Sequence, residues 1–205
     1  MALLLAGATV AAIVVIIGLS VSNRPVSTDA QPASGIGRVL SADPPRGRTG
    51  GVQVGQAAPN FQWRFEPDGT QSLADLRGET VALLEFLATW CPHCQQMAPV
   101  IASLYDGYRE RSVTVLGVNI SPFGMDRRSR ASPADMAAFA SRFGAAFPLA
   151  FDPTVAVGQA YAVRTFPTTM IIDRQGVVRY MHSGEAPKAE LEAALTAALG
   201  DGNSS

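Results

Sequence analysis

Apolar and polar positions along the 205 residues fall into three regimes. Residues 2–21 are an uncharged, almost wholly apolar run of about twenty positions, long enough at 1.5 Å per residue to cross the roughly 30 Å hydrocarbon core of a bilayer. Residues 23–51 are rich in Pro, Gly, Ser and Ala and poor in large apolar side chains, so they bury too little to offset the entropy of ordering and read as a disordered linker. From 52 to 200 the pattern becomes periodic. Residues 82–87 are a near-continuous apolar run, as expected of a strand covered on both faces. A β-branched run at 112–120 follows an intervening helix, which makes the two strands a parallel pair. Met136, Phe139, Ala140 and Phe143 recur at helical spacing behind Ser132, a suitable N-cap, and Pro133 at the first helical position. Asp152-Pro153-Thr154 opens a short helix toward Tyr161. Residues 168–172 and 177–181 read as strands joined by the turn Asp173-Arg174-Gln175-Gly176. Leu191, Leu195 and Leu199 stripe a last helix from 187 to 199, with Gly200 expected just past its end.

The sequence therefore divides into a membrane anchor or signal segment at 1–22, the linker at 23–51, one α/β domain at 52–200 and a flexible tail at 201–205. About 150 residues suffice for one core. The apolar run exceeds a signal-peptide h-region and lacks a basic n-region, so an uncleaved transmembrane helix is the expectation. The first basic residue, Arg24, follows the run, so loop charge does not support an outward-facing domain. Sixteen basic against 17 acidic residues give no electrostatic footprint for nucleic acid.

The chemistry lies in Thr89-Trp90-Cys91-Pro92-His93-Cys94, which holds the only two cysteines in the chain. Positions i and i+3 share a helix face, so the two sulfurs can join without moving the backbone. Pro92 suits a first helical turn, which puts Cys91 at the helix N-terminus, where free N–H groups and the positive end of the helix dipole stabilise a thiolate, the nucleophilic form. Cys94 lies one turn inside, shielded, and fits the resolving role. His93, as imidazolium, would further stabilise the Cys91 anion and tune the redox poise together with Pro92. Half of a zinc site and a purely structural disulfide are the other readings of the pair. The first needs two more Cys or His where only His93 and His182 exist, and the second closes a ring too short to remove much chain entropy.

With these residues the chain resembles the thioredoxin superfamily, and within it the TlpA/ResA-like extracytoplasmic thiol–disulfide oxidoreductases. The resemblance spans roughly 52–200. It is carried by Val54-Gly55-Gln56-Ala57-Ala58-Pro59-Asn60-Phe61, by the stretch from Asp68 to Gly78, by Phe86 to Cys91, by Pro99 within the helix after Cys94, by Thr165-Phe166-Pro167-Thr168-Thr169, and by the segment from Ile171 to Val178. It implies a thioredoxin-like fold, a central mixed β-sheet flanked by helices. It also implies a cis peptide before Pro167 lying against the dithiol, and a substrate groove bordered by Trp90, Phe166 and Pro167. Export, a membrane-embedded electron donor or acceptor, protein substrates bearing thiols or disulfides, and a role in cytochrome c maturation or thiol maintenance are further implications. No cofactor and no metal are called for.

Two features depart from that family. Glu85 is the sole acid of its strand, six residues before Cys91, where thioredoxins hold a buried aspartate, and the lysine that faces that aspartate falls on Gly117 here. An unpaired buried carboxyl has a raised pKa and could accept and return the Cys94 proton, giving Glu85 a catalytic role beside Cys91 and Cys94. The Pro-His pair between the cysteines resembles strongly oxidising DsbA-type proteins, whereas the rest of the chain resembles reductases. A disulfide-donating oxidase is therefore the alternative, and a copper metallochaperone a more distant one. The cluster Arg127-Arg128-Ser129-Arg130 reads as a solvated loop rather than a docking patch.

Overall fold

A computed structural model describes residues 35–44 and 51–200. The anchor expected at 2–21 and the tail at 201–205 lie outside them. Among the described residues no helix is long and apolar enough to span a membrane.

Eight strands form one mixed sheet. In chain order they are β1 (Ile36–Ala42), β2 (Phe61–Phe65), β3 (Gly69–Ser72), β4 (Val81–Leu87), β5 (Val113–Asn119), β6 (Leu149–Phe151), β7 (Thr168–Ile172) and β8 (Val178–Ser183). The helices are α1 (Pro92–Tyr108), α2 (Pro133–Phe143), α3 (Ala156–Tyr161) and α4 (Lys188–Gly200). The spatial order is β3-β2-β1-β6-β5-β4-β7-β8. β4, β5, β6 and β1 run parallel, while β7 pairs antiparallel to β4, and β2 antiparallel to β1. The helix between β4 and β5 makes their parallel pairing obligatory, and the turn at Gly176, with φ +79°, makes β7 and β8 a hairpin.

Every residue of β4 is buried, so the run that reads as a doubly covered strand is an interior strand, paired with β5 on one side and β7 on the other. Its alternate side chains enter two cores. Val81, Leu83 and Leu87 pack with Met97, Ile101 and Tyr105 of α1, Phe139 of α2 and Leu191 and Leu195 of α4. Ala82, Leu84 and Phe86 pack with the aromatic layer of Phe61, Trp63 and Phe65 and with Tyr161 of α3. Tyr161 is tied down at its far end, donating its hydroxyl proton to the Pro59 carbonyl at 2.7 Å. The helix starts follow the sequence cues: Ser132 and Asp135 form a reciprocal capping box ahead of Pro133, and Asp152 accepts the Val157 N–H at 2.8 Å.

Two expectations are corrected. Residues 36–42 belong to the sheet rather than to a linker. β1 lies between β2 and β6, and only Gly37 and Val39 are buried on it, so backbone pairing on both edges does what side-chain burial does elsewhere. A Cβ at Gly37 would stand 2.7 Å from the Arg64 carbonyl oxygen, so the inward position that an apolar residue would have marked is occupied by glycine. Gly200 is the last residue of α4 and does not adopt the left-handed conformation of a terminating glycine; Gly144, after α2, does so at φ +68°.

Candidate active site

β4 ends at Leu87 and the chain turns through Ala88-Thr89-Trp90 into α1. The Cys91 N–H is bonded to the Ala88 carbonyl at 3.0 Å, and Cys91 is the N-cap of the helix with Pro92 in its first turn. Its side chain makes no capping bond to its own helix. Both cysteines are free thiols in this structure and both are buried, Cys94 at 2% exposure and Cys91 at 5%. Burial drives the Cys94 thiol far up from its ordinary value, and the nearby Cys91 and Glu85 charges add to this against a bond from the Ala88 backbone. Cys94 is therefore held protonated.

The loop before β7 closes over the pair. The Phe166–Pro167 peptide is cis, as the family resemblance implies, and the Cys91 thiol donates to the Phe166 carbonyl at 3.7 Å. Phe166 meets the Trp90 ring edge-on at 6.0 Å between centroids. Trp90 in turn donates its indole N–H to Ser121 Oγ at 2.8 Å. Trp90 and Phe166 thus stand together beside Cys91, with the cis peptide to Pro167 following.

Beneath the site, Glu85 is 2% exposed and faces the same side of the sheet as Leu83 and Leu87. Its Oε2 accepts the Thr169 hydroxyl proton at 2.6 Å, while Oε1 has no hydrogen-bond partner among the described residues. Burial raises its pKa from 4.5 to about 7, opposed by the Thr169 bond. Its β5 neighbour is Gly117, as anticipated, and the space a side chain there would occupy is filled by Leu149 and Phe147. Among the described residues no cation offsets the Glu85 carboxylate.

Three residues that the sequence reading left out or placed elsewhere join the site. Glu185, in the connection between β8 and α4, puts Oε1 2.5 Å from His93 Nδ1. Thr169 is the partner of Glu85. Arg127 belongs to the cluster read as a solvated loop, yet its guanidinium lies 4.6 Å from the centroid of the Trp90 ring. Among the described residues no group of three or more His, Cys, Asp or Glu converges as a metal site would require.

A dithiol at a helix N-terminus, facing a cis-proline loop on a mixed sheet, defines a thioredoxin-like protein. Residues 54–181 match the model of the AhpC/TSA family, and the chain belongs to that family. The Pro-x-x-x-Thr-x-x-Cys pattern of peroxiredoxins is absent, since Thr89 stands only two residues before Cys91. The curated relatives point elsewhere. The thiol–disulfide oxidoreductase ResA of Geobacillus kaustophilus is 35% identical over 69% of this chain and 75% of its own length. The thioredoxin-like protein YneN of Bacillus subtilis is 34% identical over 71% of this chain and 80% of its own. Among solved structures, a putative thiol:disulfide interchange protein DsbE from Chlorobium tepidum superposes with a TM-score of 0.61 at 31% identity, covering 72% of this chain and 99% of that one. The chain is a thiol–disulfide oxidoreductase of the ResA and DsbE kind.

Proposed function

We propose that Cys91 and Cys94 are the exchanging pair, that Glu85 handles the proton of Cys94, and that the domain works as a reductase of protein disulfides outside the cytoplasm. The observation that carries this is the asymmetry of the pair: Cys91 caps the helix and touches the Phe166 carbonyl in the groove, whereas Cys94 is buried one turn inside and held protonated.

In the reducing direction the Cys91 thiolate attacks one sulfur of a partner disulfide. The partner bond breaks, a mixed disulfide forms, and the first partner sulfur leaves as a thiolate that takes a proton from water. Cys94 then gives its proton to the Glu85 carboxylate and attacks the Cys91 sulfur, forming the Cys91–Cys94 disulfide and expelling the second partner sulfur, which is protonated in turn. The partner gains two electrons and two protons, and the dithiol loses two electrons. A Glu85 pKa of about 7 suits this transfer, because the carboxyl is then partly ionised at neutral pH and can both accept and return a proton. A membrane-embedded thiol donor would restore the dithiol.

The reducing direction draws support from His93. Glu185 gives its imidazole a carboxylate partner beside the dithiol, so the cationic influence by which a Pro-His pair favours the thiolate form is partly offset. Maturation of cytochrome c, where haem-attachment cysteines must be reduced, is the process this reading fits. The uncharged run at 2–21 supports membrane attachment, and the resemblance to extracytoplasmic thiol–disulfide oxidoreductases, rather than loop charge, supports a catalytic domain on the outer side. Turnover of a protein disulfide with a stoichiometric thiol donor, lost in Cys91→Ser, tests the activity. Fractionation with thiol labelling of intact cells tests the location: labelling only after lysis would overturn it.

A further inference from the structure

The segment between β5 and α2 is built against the active site. Trp90, the residue before Cys91, donates its indole N–H to Ser121 at the root of this loop, and Phe123 pairs with Arg130 to close it into a small hairpin. Gly124 and Ser129 are joined by a backbone bond at 2.9 Å, and the Met125 N–H is held by Asp135 Oδ1 at 3.0 Å. The one acid at the loop's tip bonds back to its own loop: Asp126 Oδ1 accepts the Arg128 and Ser129 N–H groups and the Ser129 hydroxyl proton, all within 2.9 Å. Asp135 is likewise committed to Ser132 and Met125. Arg127 adopts the left-handed conformation at φ 60°, uncommon for a residue with a side chain, and in it lays its guanidinium over the Trp90 ring. The chain accepts an unfavourable backbone geometry where it sets a cation over the ring of the residue that precedes Cys91.

We propose that this loop is the second wall of the substrate groove and that Arg127 recognises a carboxylate beside the exchanging cysteine of the partner. The selected substrate is an extended acidic segment, with Asp or Glu next to its cysteine. Its place over the Trp90 ring holds the guanidinium at the rim of the site and leaves its N–H groups for an incoming carboxylate, with Arg128 and Arg130 adding positive charge on the same hairpin. Phe123, 49% exposed at the base of the hairpin, offers an apolar contact for the same segment. This inference rests on the exchange reading above and adds its substrate class.

The test uses the full chain and disulfide-bonded peptides identical except for the residues flanking cysteine: two Glu, two Gln or two Lys. At low ionic strength kcat/KM should rank Glu above Gln above Lys, by roughly three- to tenfold per step, with the ranking compressed in high salt. Arg127→Ala should bring the Glu-to-Gln ratio close to one, Arg127→Lys should retain part of it, and Arg109→Ala, a surface arginine at the far end of α1, should keep the wild-type ratio. Equal wild-type rates for Glu and Gln peptides, or a ratio unmoved by Arg127→Ala, would overturn the recognition while leaving the exchange activity in place. Absence of exchange with the Gln peptide would instead overturn the reading on which it rests.

Discussion

His93 Nδ1 lies 2.5 Å from Glu185 Oε1, across 92 positions of sequence, at the rim of the dithiol. When the imidazole carries its proton this contact is an ion pair, and both charges act on the same equilibrium with opposite signs. The imidazolium favours the thiolate form of the reduced pair, and the carboxylate disfavours it. Both side chains are largely exposed, at 64% and 42%, so the coupling is of surface magnitude.

Glu185→Gln should therefore make the Cys91–Cys94 couple more oxidising, by about 10–20 mV for a pair worth up to ~1 kcal/mol. His93→Pro should move it toward reductant. The wild-type potential should fall between the roughly −270 mV of thioredoxin and the roughly −120 mV of DsbA. Equilibration with glutathione buffers measures all three. Identical potentials in wild type and Glu185→Gln would show that the contact has no part in the poise.

The two thiols should separate cleanly by substitution. Cys94→Ser leaves the attack intact and removes release, so mixed disulfides accumulate and resolve on reducing gels; Cys91→Ser should trap nothing above background. Equal trapping by both variants would contradict the proposed roles, in which Cys94, the more enclosed of the two, resolves the mixed disulfide.

The dithiol and Glu85 were legible in the sequence because each is marked locally, by two cysteines at helical spacing and by one acid in an apolar strand, whereas the cis-proline loop followed only from the family resemblance. What escaped was marked only by contacts between distant segments. Glu185 sits in a polar turn with no periodicity, and its partner lies on α1. Arg127 reads as one charge in a solvated run, because its place over Trp90 depends on a left-handed φ and on the hydrogen bond that pins Ser121. β1 was hidden by Gly37, which removes the inward apolar side chain by which an alternating strand is recognised, and by Leu40, which faces solvent at 45% exposure.

Gly37 also gives a stability test of that strand. An added Cβ would meet the Arg64 carbonyl oxygen at 2.7 Å and the Phe65 ring at 2.8 Å, and a backbone atom cannot rotate away. Gly37→Val should cost about 1–3 kcal/mol in denaturant unfolding with the slope unchanged. Were residues 36–42 a loose tether, the same substitution would be neutral.

In the proposed mechanism, Glu85 links stability to catalysis through one proton. Its carboxyl ionises at about 7 in the folded chain against 4.5 in the unfolded one, because burial penalises the charge and Gly117 offers nothing to balance it. Below pH 4.5 both states hold the proton and folding is unaffected. As pH rises from 4.5 to about 7 the unfolded chain releases the proton first, so the folded state loses stability, by about 3 kcal/mol in all, and the loss levels off above that window. Glu85→Gln should remove this falling limb and leave a variant at least as stable as wild type at pH 8. The same change should slow disulfide exchange near pH 7 by up to roughly 10²-fold, because Cys94 would have to surrender its proton to solvent from a buried position. A rate at pH 7 equal to wild type would show that water reaches Cys94 directly, and an unaltered pH–stability profile would show that the carboxyl is not the buried, proton-holding group its surroundings make it.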